Sequence, residues 1–135
     1  MLPSGLPEDI DDQEELARFL THRSHFNQIM VKPAALMPNP IDGETSVTRH
    51  GRQPVEQLWR IGSLAAGDRT LYGAAIFKAH VVRLAGLDIA SDEPPPRHAA
   101  IRGWPWQDND PLERKAERKA LAAEIASAAG EPFLL

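Results

Sequence analysis

The chain alternates short apolar runs with dense punctuation, and its most apolar stretch is residues 71–90, LYGAAIFKAHVVRLAGLDIA, where only Lys78, Arg83 and Asp88 carry formal charge. Two readings of it compete. As one helix, Ala74, Phe77, Val81 and Leu84 share a face, and Ile76, Val82 and Ala85 widen that face until the helix is apolar nearly all round, as a buried helix is. As a mixed segment, residues 71–77 are extended, 79–85 form a short helix and 87–90 a strand. Gly73 would cost about 1 kcal/mol inside a helix. Gly86 suits the left-handed position just past a helix end, and Arg83 suits the negative pole of the last turn. The mixed reading, strand–helix–strand, is the expectation.

Upstream, residues 1–10 read as a flexible segment pinned by Leu6 and Ile10, and residues 11–135 as one domain. Asp11 with Glu14, and Asp12 with Glu15, have capping-box spacing, and Leu16, Phe19 and Leu20 follow at helical intervals, so a helix is expected over 12–23. Pro33 limits a strand over 29–36 to a sheet edge or bulge. Residues 38–43 (PNPIDG) are turn chemistry. Residues 44–50 then alternate, Thr45, Val47 and Arg49 against Ser46, Thr48 and His50, which predicts a strand forming an irregular hairpin with 29–36.

Gln53-Pro54 opens a short helix with Val55, Leu58 and Trp59 inward and Gly62 at its end. The SDEPPP run at 91–96 favours extended polyproline, and 98–104 reads as a further strand. Asp110 as cap, Pro111, Glu113 and, at the far end, Gly130 delimit a long last helix. Its apolar positions split between two sides: Leu112, Ala116 and Ala123 on one, Leu121, Ile125 and Ala128 on the other. A fully packed helix keeps one stripe, so only the C-terminal half is expected to dock. The sum is an α+β fold: a small, mostly antiparallel sheet with three short helices and a long C-terminal helix.

Composition narrows the function classes. At 135 residues the chain is one domain's worth, and a net charge of −4 argues against a protein that coats nucleic acid. Without cysteine there is no disulfide frame and no thiolate chemistry, which fits a reducing compartment. The N-terminus lacks a basic region followed by an apolar one, and no run reaches the roughly 18 apolar residues of a membrane span. A cytoplasmic protein without membrane contact is therefore expected.

Candidate chemistry is sparse. His22 and His25 share a helical spacing, but no HExxH-like motif completes a metal set, so neither metal nor cofactor is expected. No glycine-rich phosphate loop, GxSxG elbow or dinucleotide fingerprint is present. His25, Lys32, Arg49, Tyr72 and His98 would suit phosphate binding or acid–base work if the strands brought them together. The plain alternative is polar decoration of edge strands.

Trp104 and Trp106 either close the core or anchor a partner. Arg114, Lys115, Arg118 and Lys119 form a basic ridge diluted by Glu113 and Glu117. With no catalytic motif, the leading expectation is a non-catalytic interaction module: an accessory subunit, adaptor or inhibitor that docks another protein through Trp104, Trp106 and this ridge. The alternative is a small enzyme or binding domain acting on a nucleotide or RNA phosphate through the His/Lys/Arg surface.

Overall fold

The computed structural model describes residues 1–51, 53–106 and 112–135. Its strands are β1 (Glu15–Leu20), β2 (Thr45–Arg49), β3 (Gly73–Lys78), β4 (Asp88–Ser91), β5 (His98–Arg102) and β6 (Phe133–Leu134). Its helices are α1 (Val55–Ala66), α2 (Ala79–Leu84) and α3 (Leu112–Ala129). The strands form one antiparallel sheet in the order β4-β5-β2-β1-β3-β6. This is the α+β architecture expected. The apolar stretch divides as its glycines imply, into β3, α2 and β4, with Gly86 at φ 84 after the helix.

Three expectations need correction. Residues 12–23 are not a helix. Asp11 makes a turn instead of a cap: its Oδ1 accepts from the Gln13 N–H at 2.8 Å and its carbonyl from the Glu14 N–H at 3.0 Å. The residues beyond become β1, a strand in the middle of the sheet. Leu16 and Leu20 pack on one face and Ala17 and Phe19 on the other, so no alternation of apolar and polar residues betrays it. Over six residues a strand buried on both faces and a helical stripe select the same positions.

Nor do residues 29–36 form a strand. Pro33–Leu36 is a single 3-10 turn with proline at its start, and only the Phe26–Val31 bridge is strand-like. The partners of β2 are therefore β1 and β5. Finally, α1 does not end at Gly62. It runs on to Ala66, with Gly67 at φ 60 behind it. Gly62 is instead a contact point: a Cβ there would lie 2.7 Å from the Phe19 ring of β1 and 2.9 Å from Leu71 Cδ2.

The two faces of the sheet are covered unequally. On one, Leu16, Leu20, Val47, Phe77, Ile89 and Ile101 pack beneath the Pro33–Leu36 turn, α2 and α3, and make the main core. On the other, α1 sets Leu58 over Ala17 and Ala74, flanked by Phe19, Trp59 and Ile76. That seat lies over β1 and β3. Over β2 and β5 the same face carries Ser46, Thr48, His98 and Ala100, outside the apolar cluster that α1 makes with β1 and β3.

The helix α3 buries Arg118, Ala122, Ile125 and Ala126, while its first turns stay exposed. The C-terminal half docks, as the split apolar pattern implied, although Ala128 is exposed. Gly130 at φ 65 donates to the carbonyls of Ala126 and Ser127. The expected cap Asp110 and first residue Pro111 lie outside the described residues. Among the described residues no helix is long and apolar enough to cross a membrane.

Gly62 supplies a test of sign. Replacing an interior helical glycine by alanine ordinarily gains about 1 kcal/mol. Here Gly62→Ala is expected to destabilise by about 1–3 kcal/mol, the usual cost of overpacking. Urea unfolding reads the difference, and a stabilised variant would refute the close α1–β1 seat.

Candidate functional site

The five polar residues singled out for phosphate chemistry occupy three separate places. Arg49 is fully buried at the end of β2. Its Nε and Nη2 donate to the two carboxylate oxygens of Glu14 at 2.5 and 2.7 Å, and its Nη1 to Pro7 O at 2.5 Å and Ser91 Oγ at 3.2 Å. Its charge and its donors are spent inside the fold. His25, Lys32 and Tyr72 gather at the far end of β1, where the Lys32 N–H donates to His25 O and the Tyr72 ring lies 5.5 Å from Phe26. From Leu16, opposite Arg49, to Leu20, which receives the Tyr72 N–H, is four strand residues, about 13 Å. His98 pairs across the ladder with Thr48, so it lies on the opposite face from Arg49.

The residues considered for partner docking are also placed. Trp104 is buried and donates its indole N–H to Ile101 O at 3.2 Å, so it closes the core. Trp106 is half-exposed, with the Arg118 guanidinium 3.9 Å from its ring centroid. Arg118 is itself buried and donates to Pro105 O at 3.0 Å. Arg114 pairs with Glu117 at 2.9 Å, and Lys115 and Lys119 are exposed.

What does converge is a cleft of about 370 Å³ on the less covered face, between the C-terminal half of α1 and the proline run before β5. Its origin is a parting of strands. β1 and β2 pair only at Leu16–Arg49 and Ala17–Thr48, after which β1 stays with β3 alone. The Arg18 guanidinium fills the opening, its Nε donating to Ala35 O and its Nη1 to Ser46 O, each at 2.9 Å. Arg69, just past α1, donates to Ala66 O, Ala65 O and Thr21 Oγ1 at 3.1–3.3 Å. At the other end stand Thr48 and His98 under Pro95 and Pro96.

The electrostatics of this cleft are one-sided. Burial first, and the neighbouring Arg69 guanidinium second, push the Arg18 pKa below arginine's ordinary value. An arginine remains protonated even so, so both positive charges persist. Among the described residues no carboxylate lines the cleft, and neither Arg18 nor Arg69 has an ion-pair partner. The arrangement is two guanidinium groups, hydroxyls on Thr21, Ser46 and Thr48, and the Asn39 amide, facing one space.

Its rim is held firmly. Glu93 accepts from the backbone and hydroxyl of Ser4 and from the Arg97 N–H. Slight burial opposes ionisation of that carboxyl, but these bonds outweigh it and hold its pKa below the usual 4.5. Arg97 in turn donates to Arg49 O and His50 O. His98 Nδ1 lies 2.8 Å from Asp92 O, which assigns the Nδ1–H tautomer to the neutral ring and leaves Nε2 as an acceptor. A second cavity is lined by the Arg49–Glu14 ion pair and by Arg97, whose guanidinium donates to the carbonyls of Arg49 and His50.

Of Arg18, Arg69 and His98 in this cleft, sequence reasoning reached His98 alone. Arg18 was hidden inside the expected helix over 12–23, and Arg69 lies between the expected helix end at Gly62 and the apolar stretch from 71, where no element was assigned. Glu14 and Glu15 lie four and three residues before Arg18, so spacing along the chain gave no signal that it would be left without an acid. No protein-family model, curated protein or solved structure matches the chain.

Two predictions concern the charges around this frame. Glu14→Gln strands the buried Arg49 charge and is expected to cost on the order of 3–5 kcal/mol, read by urea denaturation. A loss within error of zero would show that Arg49 is not held by this pair. The second concerns pH. Burial, with His22 and then Arg18 nearby, lowers the pKa of His25 below 6.5. Burial also lowers that of His50, Glu15 opposing and Arg97 adding. Below 6.5 the unfolded chain therefore binds protons that the folded chain resists, so stability falls as pH drops from 6.5 through the lowered folded values. The urea midpoint should fall between about pH 7.5 and about pH 5.5, and less so in His50→Gln; equal slopes in the two proteins would remove His50 from the account.

Proposed function

We propose that this protein is a binding domain for a small anionic, phosphate-bearing ligand seated in the Arg18–Arg69 cleft. The observation that carries the reading is two guanidinium groups facing one cleft without a neutralising carboxylate. Like charges held together cost free energy, and an anion between them removes the cost while satisfying N–H groups that carbonyls leave unused. The hydroxyls of Thr21 and Thr48 and the amide of Asn39 complete a set that recognises oxygen atoms. This revises the phosphate-binding expectation: of the residues first considered, His98 stays and Arg18 and Arg69 replace Arg49, Lys32, His25 and Tyr72.

The expectation of a protein-docking module rests on a different surface. The Trp106 ring is held by Arg118 of α3, and Leu112, Lys115 and Lys119 of that helix are exposed. A preorganised tryptophan beside cations is the composition of a binding hot spot. A docking partner would leave the cleft open, so the two readings are compatible. Trp106→Ala combined with Lys115→Ala should lose a stoichiometric partner that the unaltered protein retains, with unchanged anion binding.

The anion site is tested by titrating the protein calorimetrically with inorganic pyrophosphate at low ionic strength. Binding is expected, weakening as salt is raised, since screening acts on such a half-open site. Arg69→Gln should weaken it about tenfold or more, as removal of one charged hydrogen-bond donor does. No heat of binding at any salt concentration would refute the reading.

A further inference from the structure

We infer that the ligand of the cleft is a mononucleotide, with its phosphate between Arg18 and Arg69 and its base against His98 and the proline rim. The inference rests on the reading of the cleft as an anion site and adds the identity of the group attached to the anion.

The cleft has two chemically distinct ends. At the end where β1 and β2 part stand Arg18, Arg69, Thr21 and Asn39, all able to donate. Arg18 Nη2 has no hydrogen-bond partner among the described residues, Arg18 using Nε and Nη1 for carbonyls. Asn39 Oδ1 accepts from the Ile41 N–H at 2.8 Å, which leaves the amide NH₂ of that side chain to donate. Thr21 Oγ1 accepts from Arg69, so its own hydrogen is available. Donors from four side chains lining one cleft suit a phosphate, whose oxygens accept in several directions.

The other end offers ring surface in place of charge. His98 faces Thr48 across the ladder beneath Pro95 and Pro96. Its Nδ1 is committed to Asp92 O, with Asp92 Oδ2 3.4 Å away, which fixes the plane of the imidazole. Imidazole is one of the side chains on which bases stack, and its Nε2 can accept from a base N–H. Phe19 and Ile61 add apolar surface to the lining.

The distance between the ends sets the linker. From Ser46, whose carbonyl Arg18 holds, to Thr48 is two residues along β2, and His98 lies one strand further over. The two steps combine to on the order of 8 Å. A ribose between phosphate and base bridges a gap of that size. The cleft's 370 Å³ is at the small end of the roughly 300–1,000 Å³ of ligand pockets, which suits one nucleotide in preference to a strand of several.

The test compares AMP, GMP, CMP and UMP with ribose 5-phosphate, inorganic pyrophosphate and a single-stranded RNA hexamer on the full chain, by calorimetry. At least one mononucleotide should bind about tenfold or more tightly than ribose 5-phosphate, the contribution of one base stacked on a side chain. His98→Gln should abolish that advantage and leave ribose 5-phosphate affinity unchanged, whereas Arg69→Gln should weaken both alike. Arg69→Lys, which keeps the charge, should restore part of the loss and guards against a folding defect in the glutamine variant. Equal binding of nucleotides and ribose 5-phosphate would overturn this inference and leave the anion site standing. Binding of the hexamer without the mononucleotides would overturn it in favour of a strand groove. Binding of no anion at all, pyrophosphate included, would remove both.

Discussion

A single buried guanidinium organises the sheet. Arg49 has no exposure to solvent and yet is charged, and such a group is tolerated only when every donor is met. The groups that meet them come from far apart in the chain: Glu14 before β1, Pro7 in the N-terminal segment, Ser91 at the end of β4. Its own carbonyl accepts from Arg97 beside β5. The residues read from composition as a flexible lead-in are thus tied across the sheet, with Ser91 Oγ donating to Glu8 O and Ile10 buried in the core. One ion pair fixes where β1 begins opposite β2. A slip of one residue there would turn Leu16 and Leu20 to the wrong face and leave a charge unpaired in the core, so the register has no cheap alternative.

The cleft follows from that register. With Leu16 set opposite Arg49, two residue pairs join β1 to β2 before the strands part, and the guanidinium of Arg18 closes the gap by capping carbonyls that a ladder would otherwise have served. The seat of α1 matters as much. Gly62 lets the helix sit directly on Phe19, over β1 and β3, instead of centrally over the sheet. The small and hydroxyl side chains of β2 and β5 lie beside that seat, and the proline run before β5 lines the same cleft.

Elements bounded by glycine and proline were legible in the sequence, because those residues act through backbone geometry that neighbours seldom override. The strand–helix–strand division at Gly73 and Gly86, the strand at 98–102 and the end of α3 at Gly130 all belong to this kind. The failures share a different cause. β1 is buried on both faces and carries Asp11 and Glu14 just ahead of it, so apolar spacing and capping chemistry both imitate a helix. Glu14 was in fact reserved for an arginine 35 residues away, a partner that no local pattern reveals. Gly62 was read as a stop because the sequence cannot show that an aromatic ring presses on that position. The cleft was illegible for the same reason: Arg18 and Arg69 are 51 positions apart, and only the parting of β1 from β2 brings them together.

The described arginines differ in what holds them, and Arg97 and Arg118, like the pair in the cleft, donate to backbone carbonyls. Arg49, Arg83, Arg102 and Arg114 each meet a carboxylate: Glu14, Asp12, Glu44 and Glu117. These are arginines whose charge is spent on holding or decorating the fold. Arg18 and Arg69 are instead bound through neutral oxygens, five hydrogen bonds that fix the direction of both groups and cancel no charge. In a chain whose net charge is −4 there is no shortage of acids to place beside them. Capping the Ala35 and Ser46 carbonyls is a structural use of Arg18, but it leaves the repulsion between Arg18 and Arg69 uncancelled. That combination suits the proposed anion site, which would be rigid before its ligand arrives and neutral only afterwards.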